Sequence, residues 1–300
     1  MTATESDAAP EPRPIATFRP TRSIAARTIA VSVVAFFGFA YAFGRLRGAI
    51  RGEPFEPVVV PAVAPSAVLD RLVVALALVA LVVVLHELLH GLFMARYGGT
   101  PSFGVGVSTF LLPYAYAATG GTSYTRNQLL VALLAPFVCI TAAGIAAMAI
   151  LSSTLLVVVL AANAAGSVGD LRMAAALARY PATVRVAELP RADAQGIAIY
   201  GAPDAAGDRG PRWDALASIV TGTVGTLVLG TATLGALVFH ALAVGTGDVV
   251  VGGDGWVLFR HELRPDGTAR LELGARLLLA VAIAGGLAWA AIDRVRRFLV

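Results

Sequence analysis

The sequence predicts an all-α membrane protein with about six transmembrane helices, a re-entrant or interfacial β-hairpin after the second span, and small β-like extramembrane loops. Three observations carry that expectation. Only 14% of the 300 residues are charged and the mean hydropathy is +0.77, whereas soluble domains are about 25% charged. Several apolar runs reach the roughly 20 residues that a helix needs to cross a bilayer. Between two of these runs lies "GGTPSFGVGVSTFLLPYAYAATGGTSYT", residues 98–125. This segment is apolar yet studded with Gly, Pro and Thr, a mixture that favours β or irregular backbone over helix.

The elements follow in chain order. Residues 1–20, rich in Pro, Ala, Thr and charge, read as a disordered tail. Residues 21–300 read as a single polytopic membrane domain. The first span is placed at 24–44. Its "AYA" at 40–42 has the small-x-small look of a signal-peptide cleavage site, but the apolar stretch is long for an h-region, so a retained anchor is expected. A Pro-rich connection leads to a second span at 69–95. Residues 98–125 cannot lie as bare irregular backbone in lipid, which is why a covered or interfacial hairpin is expected there. The apolar stretch from 128 to 177 is too long for one crossing and divides near Ser152 and Ser153, giving spans 128–151 and 154–177. A fifth span is placed at 216–244 and a sixth at 275–292. The polar loops 183–202 and 248–273 carry short β-like runs around turn signals such as "RPDG" at 264–267.

The net charge is +4, and all 23 basic residues are arginine. They are scattered at span ends, where long basic side chains snorkel and set topology. That distribution argues against nucleic acid as a partner and for the lipid bilayer. Six spans place both termini on one side. Fourteen arginines fall on the side holding the termini and the 96–127 and 179–215 segments, and eight on the other. The bias predicts a multi-pass protein of the cell membrane with both termini cytoplasmic. The single cysteine, Cys139, lies in an apolar run and rules out a disulfide within the chain.

The second span carries the chemistry. Fourteen apolar residues, 72–85, precede His86-Glu87-Leu88-Leu89-His90. On a helix, positions i and i+4 are about 40° apart in azimuth. Both imidazoles therefore face one spot, a turn apart. That spacing suits two ligands of one Zn2+, with Glu87 placed to activate a bound water. Three ionisable groups within five intramembrane residues are costly without a partner, and a metal ion supplies one. Histidines hydrogen-bonded across helices are the plainer reading.

A catalytic zinc takes three protein ligands and a water. His240 lies in an apolar span with no polar company and reads as a packed or interfacial residue, whereas His261 lies in a polar loop and reads as a solvated side chain. Asp170, a lone acid at the end of the fourth span within "NAAGSVGDLRMA", is the better candidate. Its ordinary alternative is an ion pair with Arg172 or Arg179, or a capping role. Asn163 sits seven residues earlier on the same helical face, with Gly166 and Gly169 between, where backbone or substrate has room to approach.

A span ending in "HELLHG", followed by "GTPSFGVGV", "YTRNQLLVALLAP" and "NAAGSVGD", resembles the zincin peptidases of prokaryotic membranes, relatives of the site-2-protease-like intramembrane metalloproteases. The resemblance covers residues 69–177, the metalloprotease-like core. It implies that His86, His90 and Asp170 bind zinc, that Glu87 is the general base, and that Asn163 helps hold the substrate backbone or the developing oxyanion. Site-2 proteases commonly carry a proline between that asparagine and a Leu-Asp-Gly end; this chain has Ser167-Val168-Gly169-Asp170-Leu171 instead.

The function expected is a zinc-dependent intramembrane or membrane-embedded peptidase acting on membrane-protein or peptide substrates. A strand edge within 102–119, with Gly104 and Gly106 keeping the backbone accessible, offers a place for an extended substrate; a mere plug over the bundle is the alternative. The rival is a non-catalytic metal-binding scaffold or a transporter. A transporter would be expected to carry further polar residues in spans one, five and six, which hold few.

Overall fold

The computed structural model describes residues 14–19, 21–53, 58–60, 65–107, 110, 113–189, 196–202, 211–244, 248–253 and 256–299. Its elements are β1 (Ala16–Phe18), α1 (Arg22–Arg51), β2 (Val58–Val60), α2 (Pro65–Arg96), β3 (Ser102–Val107), β4 (Pro113–Ala118), β5 (Ser123–Thr125), α3 (Arg126–Ile150), α4 (Leu155–Gly166), α5 (Val168–Leu177), β6 (Arg185–Glu188), β7 (Ile197–Tyr200), α6 (Pro211–Val244), β8 (Val249–Gly253), β9 (Trp256–Leu263), β10 (Ala269–Leu273) and α7 (Ala275–Leu299). Five helices are long and apolar enough to cross a membrane, and a sixth crossing is made if the bent pair α4–α5 counts as one. Exposed Leu, Val, Ile and Phe run along all of these long helices, a surface suited to lipid and compatible with a multi-pass membrane protein.

The stretch expected to form one helix over 154–177 is broken at Ser167. Ser167 Oγ donates back to the Asn163 carbonyl at 2.8 Å, alongside the backbone bond from Ser167 N to the same oxygen at 2.9 Å. Such back-bonding bends helices, and Gly166 and Gly169 on either side offer little resistance. The break starts α5 afresh and puts Asp170 in its first turn.

The chain divides into two compact units. One comprises Met1–Ala25, Val84–Pro136 and Gly169–Asp208. It contains the antiparallel sheet β1-β7-β6-β5 and the two-stranded sheet β3-β4. Tyr124, Leu129, Leu177, Val184, Val186 and Ile199 form its core, with Ile15, Ala16 and Phe18 packed against it. Residues 1–13 and 20 of the expected tail lie outside the described residues. Ala16–Phe18, also read as tail, is instead a strand: its apolar side chains find that core, and its backbone finds β7 in the register Ala16↔Ile199.

In the β3-β4 hairpin, Gly104 pairs with Tyr116 and Gly106 with Tyr114. A Cβ at either glycine would strike the opposing tyrosine ring. The glycines thus seat two aromatic rings across the strands, as aromatic residues commonly cover strand glycines. They do not leave that face of β3 open, as the sequence suggested.

The other unit comprises Ala26–Val83, Phe137–Val168 and Arg209–Val300. Phe43, Met148, Leu160 and Ala164 form a buried cluster in it, and a Cβ at Gly144 would collide with Leu160. Sheet β2-β10-β9-β8 belongs to this unit. Helices α6 and α7 pack through small residues. A Cβ at Gly222 would meet Trp289 and the Gly286 backbone, one at Gly285 would meet Thr226, and one at Gly286 would meet Thr223. Close backbone approach through small residues is how helices associate where lipid offers no hydrophobic drive.

Gly222→Leu should therefore lower stability by about 1–3 kcal/mol, the usual cost of overpacking, read as a drop in thermal midpoint in detergent. Gly225→Ala, on the same helix but facing open space, should leave the midpoint unchanged or raise it.

Candidate metal centre

The site assembles in the first unit. Along α2, Val82, His86 and His90 share a buried stripe, whereas Leu85, Leu88 and Leu92 are exposed. The four-residue spacing puts the imidazoles one turn apart on that stripe; their ring centroids are 4.8 Å apart. Asp170 comes to them from the first turn of α5, where the positive end of the helix dipole favours a carboxylate. His86 Nε2 lies 3.1 Å and His90 Nε2 3.4 Å from Asp170 Oδ2. The ion pairs of Asp170 are with these two imidazoles and not with Arg172 or Arg179.

His90 is further constrained. Its Nδ1 lies 2.8 Å from the Ala132 carbonyl oxygen in α3, in a buried contact. A carbonyl only accepts, so Nδ1 carries the proton and donates, and neutral His90 presents the lone pair of Nε2. That lone pair faces a carboxylate oxygen. Two acceptors at 3.4 Å repel one another unless a cation lies between them or the ring is protonated. Ligands in a tetrahedral zinc shell with bonds of 2.0–2.1 Å lie about 3.3 Å apart, close to the separations here. The donor set of two imidazole nitrogens and one carboxylate oxygen, all within 4.8 Å of one another, fits a divalent metal of zinc type.

Glu87 follows His86 directly and is partly buried. The backbone amide of Ala117, in β4, lies close to its carboxyl. The hairpin also rests on α2 just beyond the motif, where a Cβ at Gly91 would run into the Phe103 ring and crowd Pro101. At its far end Thr119 N donates to Glu188 Oε1 at 3.0 Å, and Tyr124 Oη donates to Thr119 Oγ1 at 2.8 Å. Hairpin, sheet and α2 are thereby stitched together around the site.

Asn163 lies in the second unit, buried, with its amide nitrogen 3.5 Å from both Phe137 O and Thr141 Oγ1. His240 is exposed on α6. His261, expected to be solvated, is fully buried, with no hydrogen-bond partner among the described residues for either ring nitrogen. Its strand β9 runs between β8 and β10, and strand alternation turns Phe259 and His261 to one covered face. Among the described residues, His86, His90 and Asp170 form the metal-type cluster.

Residues 79–185 match the family model described as "Putative zincin peptidase". The match spans just over a third of the chain and contains His86, Glu87, His90, Asn163 and Asp170. Zincins carry HExxH, and zinc is the metal that such a family implies. No curated protein and no solved structure matches the chain.

Sequence reasoning named the three cluster residues but missed the main-chain partners, the Ala132 carbonyl and the Ala117 amide, because a peptide group leaves no residue-type signature. The support of the hairpin on Gly91 did leave one, a glycine directly after the second histidine.

Gly91→Ala should push the Phe103 ring aside and loosen the hairpin, read as faster hydrogen exchange over 102–118. Adding Phe103→Ala should restore protection by removing the clash.

Proposed function

We propose that this protein is a zinc-dependent, membrane-embedded peptidase of the site-2-protease-like kind, hydrolysing peptide bonds in membrane-protein substrates. One observation carries the reading: His86 and His90 converge on Asp170 at 3.1 and 3.4 Å, with Glu87 beside them in an apolar helix. His86, His90 and Asp170 would hold the metal. Bound zinc supplies Lewis acidity, lowering the pKa of water towards about 7 and offsetting negative charge on a peptide carbonyl oxygen.

The chain's own residues do the rest. Glu87 takes a proton from the attacking water as the new C–O bond forms, and delivers it to the leaving nitrogen as the C–N bond breaks. The Ala117 amide lies close enough to the Glu87 carboxylate to help orient it for both transfers. Asn163 is assigned, through the resemblance alone, to the substrate backbone or the oxyanion. Substrate must be extended, since a helix hides its peptide bonds in its own hydrogen bonds. We assign its docking to an edge of the β3-β4 hairpin, by strand addition. Val105 and Val107 on β3 are 77% and 66% exposed, which suits an apolar substrate at a re-entrant or interfacial hairpin.

Sheet pairing supports six crossings. A hydrogen-bonded ladder cannot straddle lipid, so β5 and β6, which pair, lie on one side of the membrane. Between them in sequence stand α3 and the bent pair α4–α5; if α3 crosses, the pair must cross back. The same parity holds between β2 and β10, which also pair. Both termini then share a side, and the arginine bias assigns it to the cytoplasm.

Two experiments test the reading. Purified wild-type protein should retain one zinc per chain and cleave a co-expressed membrane substrate. Glu87→Gln should keep the metal and lose cleavage, while His90→Ala should lose both. Asn163→Ala should keep the metal and cleave about 100–1,000-fold more slowly, the loss typical of one oxyanion donor. Retained cleavage in Glu87→Gln leaves the scaffold or transporter as the reading. For topology, on a Cys139→Ser background, an impermeant thiol reagent applied to intact cells should label Asp248→Cys and spare Gly120→Cys.

A further inference from the structure

The Ala132 carbonyl that holds His90 is available for a reason written in the sequence. In an α-helix the carbonyl of residue i accepts from the amide of residue i+4. For Ala132 that residue is Pro136, the proline inside α3, which has no amide hydrogen. Its ring also crowds the carbonyl four residues back and drives it off the helix axis. Ala132 is 1% exposed, out of reach of bulk water, and a buried carbonyl without a donor is costly. The His90 Nδ1–H fills the gap at 2.8 Å.

We propose that Pro136 is a positioning residue of the metal centre. By withholding an amide it aims the Ala132 carbonyl at His90, fixes that imidazole in its Nδ1–H tautomer and so turns the lone pair of Nε2 towards Asp170. The proposal rests on the reading of His86, His90 and Asp170 as metal ligands. Outer partners of this sort orient ligating imidazoles, and losing one typically costs 10–100-fold in metal affinity. A carbonyl has two lone pairs, so an amide at 136 would not forbid the bond to His90. It would draw the oxygen back towards the helix axis and weaken the hold on the ring.

The chain has only four histidines, so ring-nitrogen NMR of 15N-histidine-labelled protein in detergent can resolve His90, assigned by its loss in His90→Ala. In metal-free wild type at alkaline pH, His90 should be protonated on Nδ1. Pro136→Ala, which returns the amide hydrogen, should give a substantial Nε2–H population and a zinc dissociation constant about 10–100-fold weaker by chelator competition. Pro136→lactic acid, an ester with no hydrogen at that position, should recover both the tautomer and the affinity.

Wild-type His90 protonated on Nε2 overturns the proposal whether or not the variants fold. So does Pro136→Ala with wild-type tautomer and affinity, or an ester variant as impaired as the alanine. A wild type with the expected tautomer that binds no zinc overturns the metal reading instead.

Discussion

Two imidazoles and two carboxyl groups, those of Glu87 and Asp170, stand where the surrounding surface is leucine and valine, and a charge in such a place is tolerated only in company. Removing an ion from water costs several kcal/mol even after relaxation. The chain meets that cost by convergence. His86 and His90 come from one helical stripe, Asp170 from the head of a second helix, and the two imidazoles meet the carboxylate at 3.1 and 3.4 Å. Much of the neighbouring architecture can be understood as holding those groups together.

The break in α4–α5 is one example. A continuous helix would give Asp170 no helix start beside it; the break at Ser167 begins a new helix instead, whose first turn carries the acid. The hairpin is another. It is anchored at Gly91 beside the second histidine, brings a backbone amide close to Glu87, and is tied at Thr119 to the sheet that receives β6 and β7. The tyrosines laid over Gly104 and Gly106 stiffen what would otherwise be a marginal two-stranded ribbon.

Much of this was legible beforehand. Hydropathy placed the long helices because a bilayer demands length and apolarity, both written residue by residue. HExxH and the lone Asp170 were legible because ionisable groups stand out against a 14% charged background. Strand β1 was not, since its three residues gain strand character only from the partner at Ile199. The burial of His261 was hidden for a similar reason: a histidine in a polar loop looks solvated until the strand takes its place in a sheet with one face covered. The purpose of Gly104 and Gly106 became clear only with the register that sets tyrosines opposite them.

The oxygen that meets the second imidazole of α2 belongs to the main chain. Replacing the side chain at that position cannot delete it, and an alanine scan passes over a residue that is alanine already. Genetic screens would therefore be blind to the contact except four positions downstream, where every other amino acid brings back a hydrogen on nitrogen. Covalent geometry rather than side-chain chemistry carries the information there.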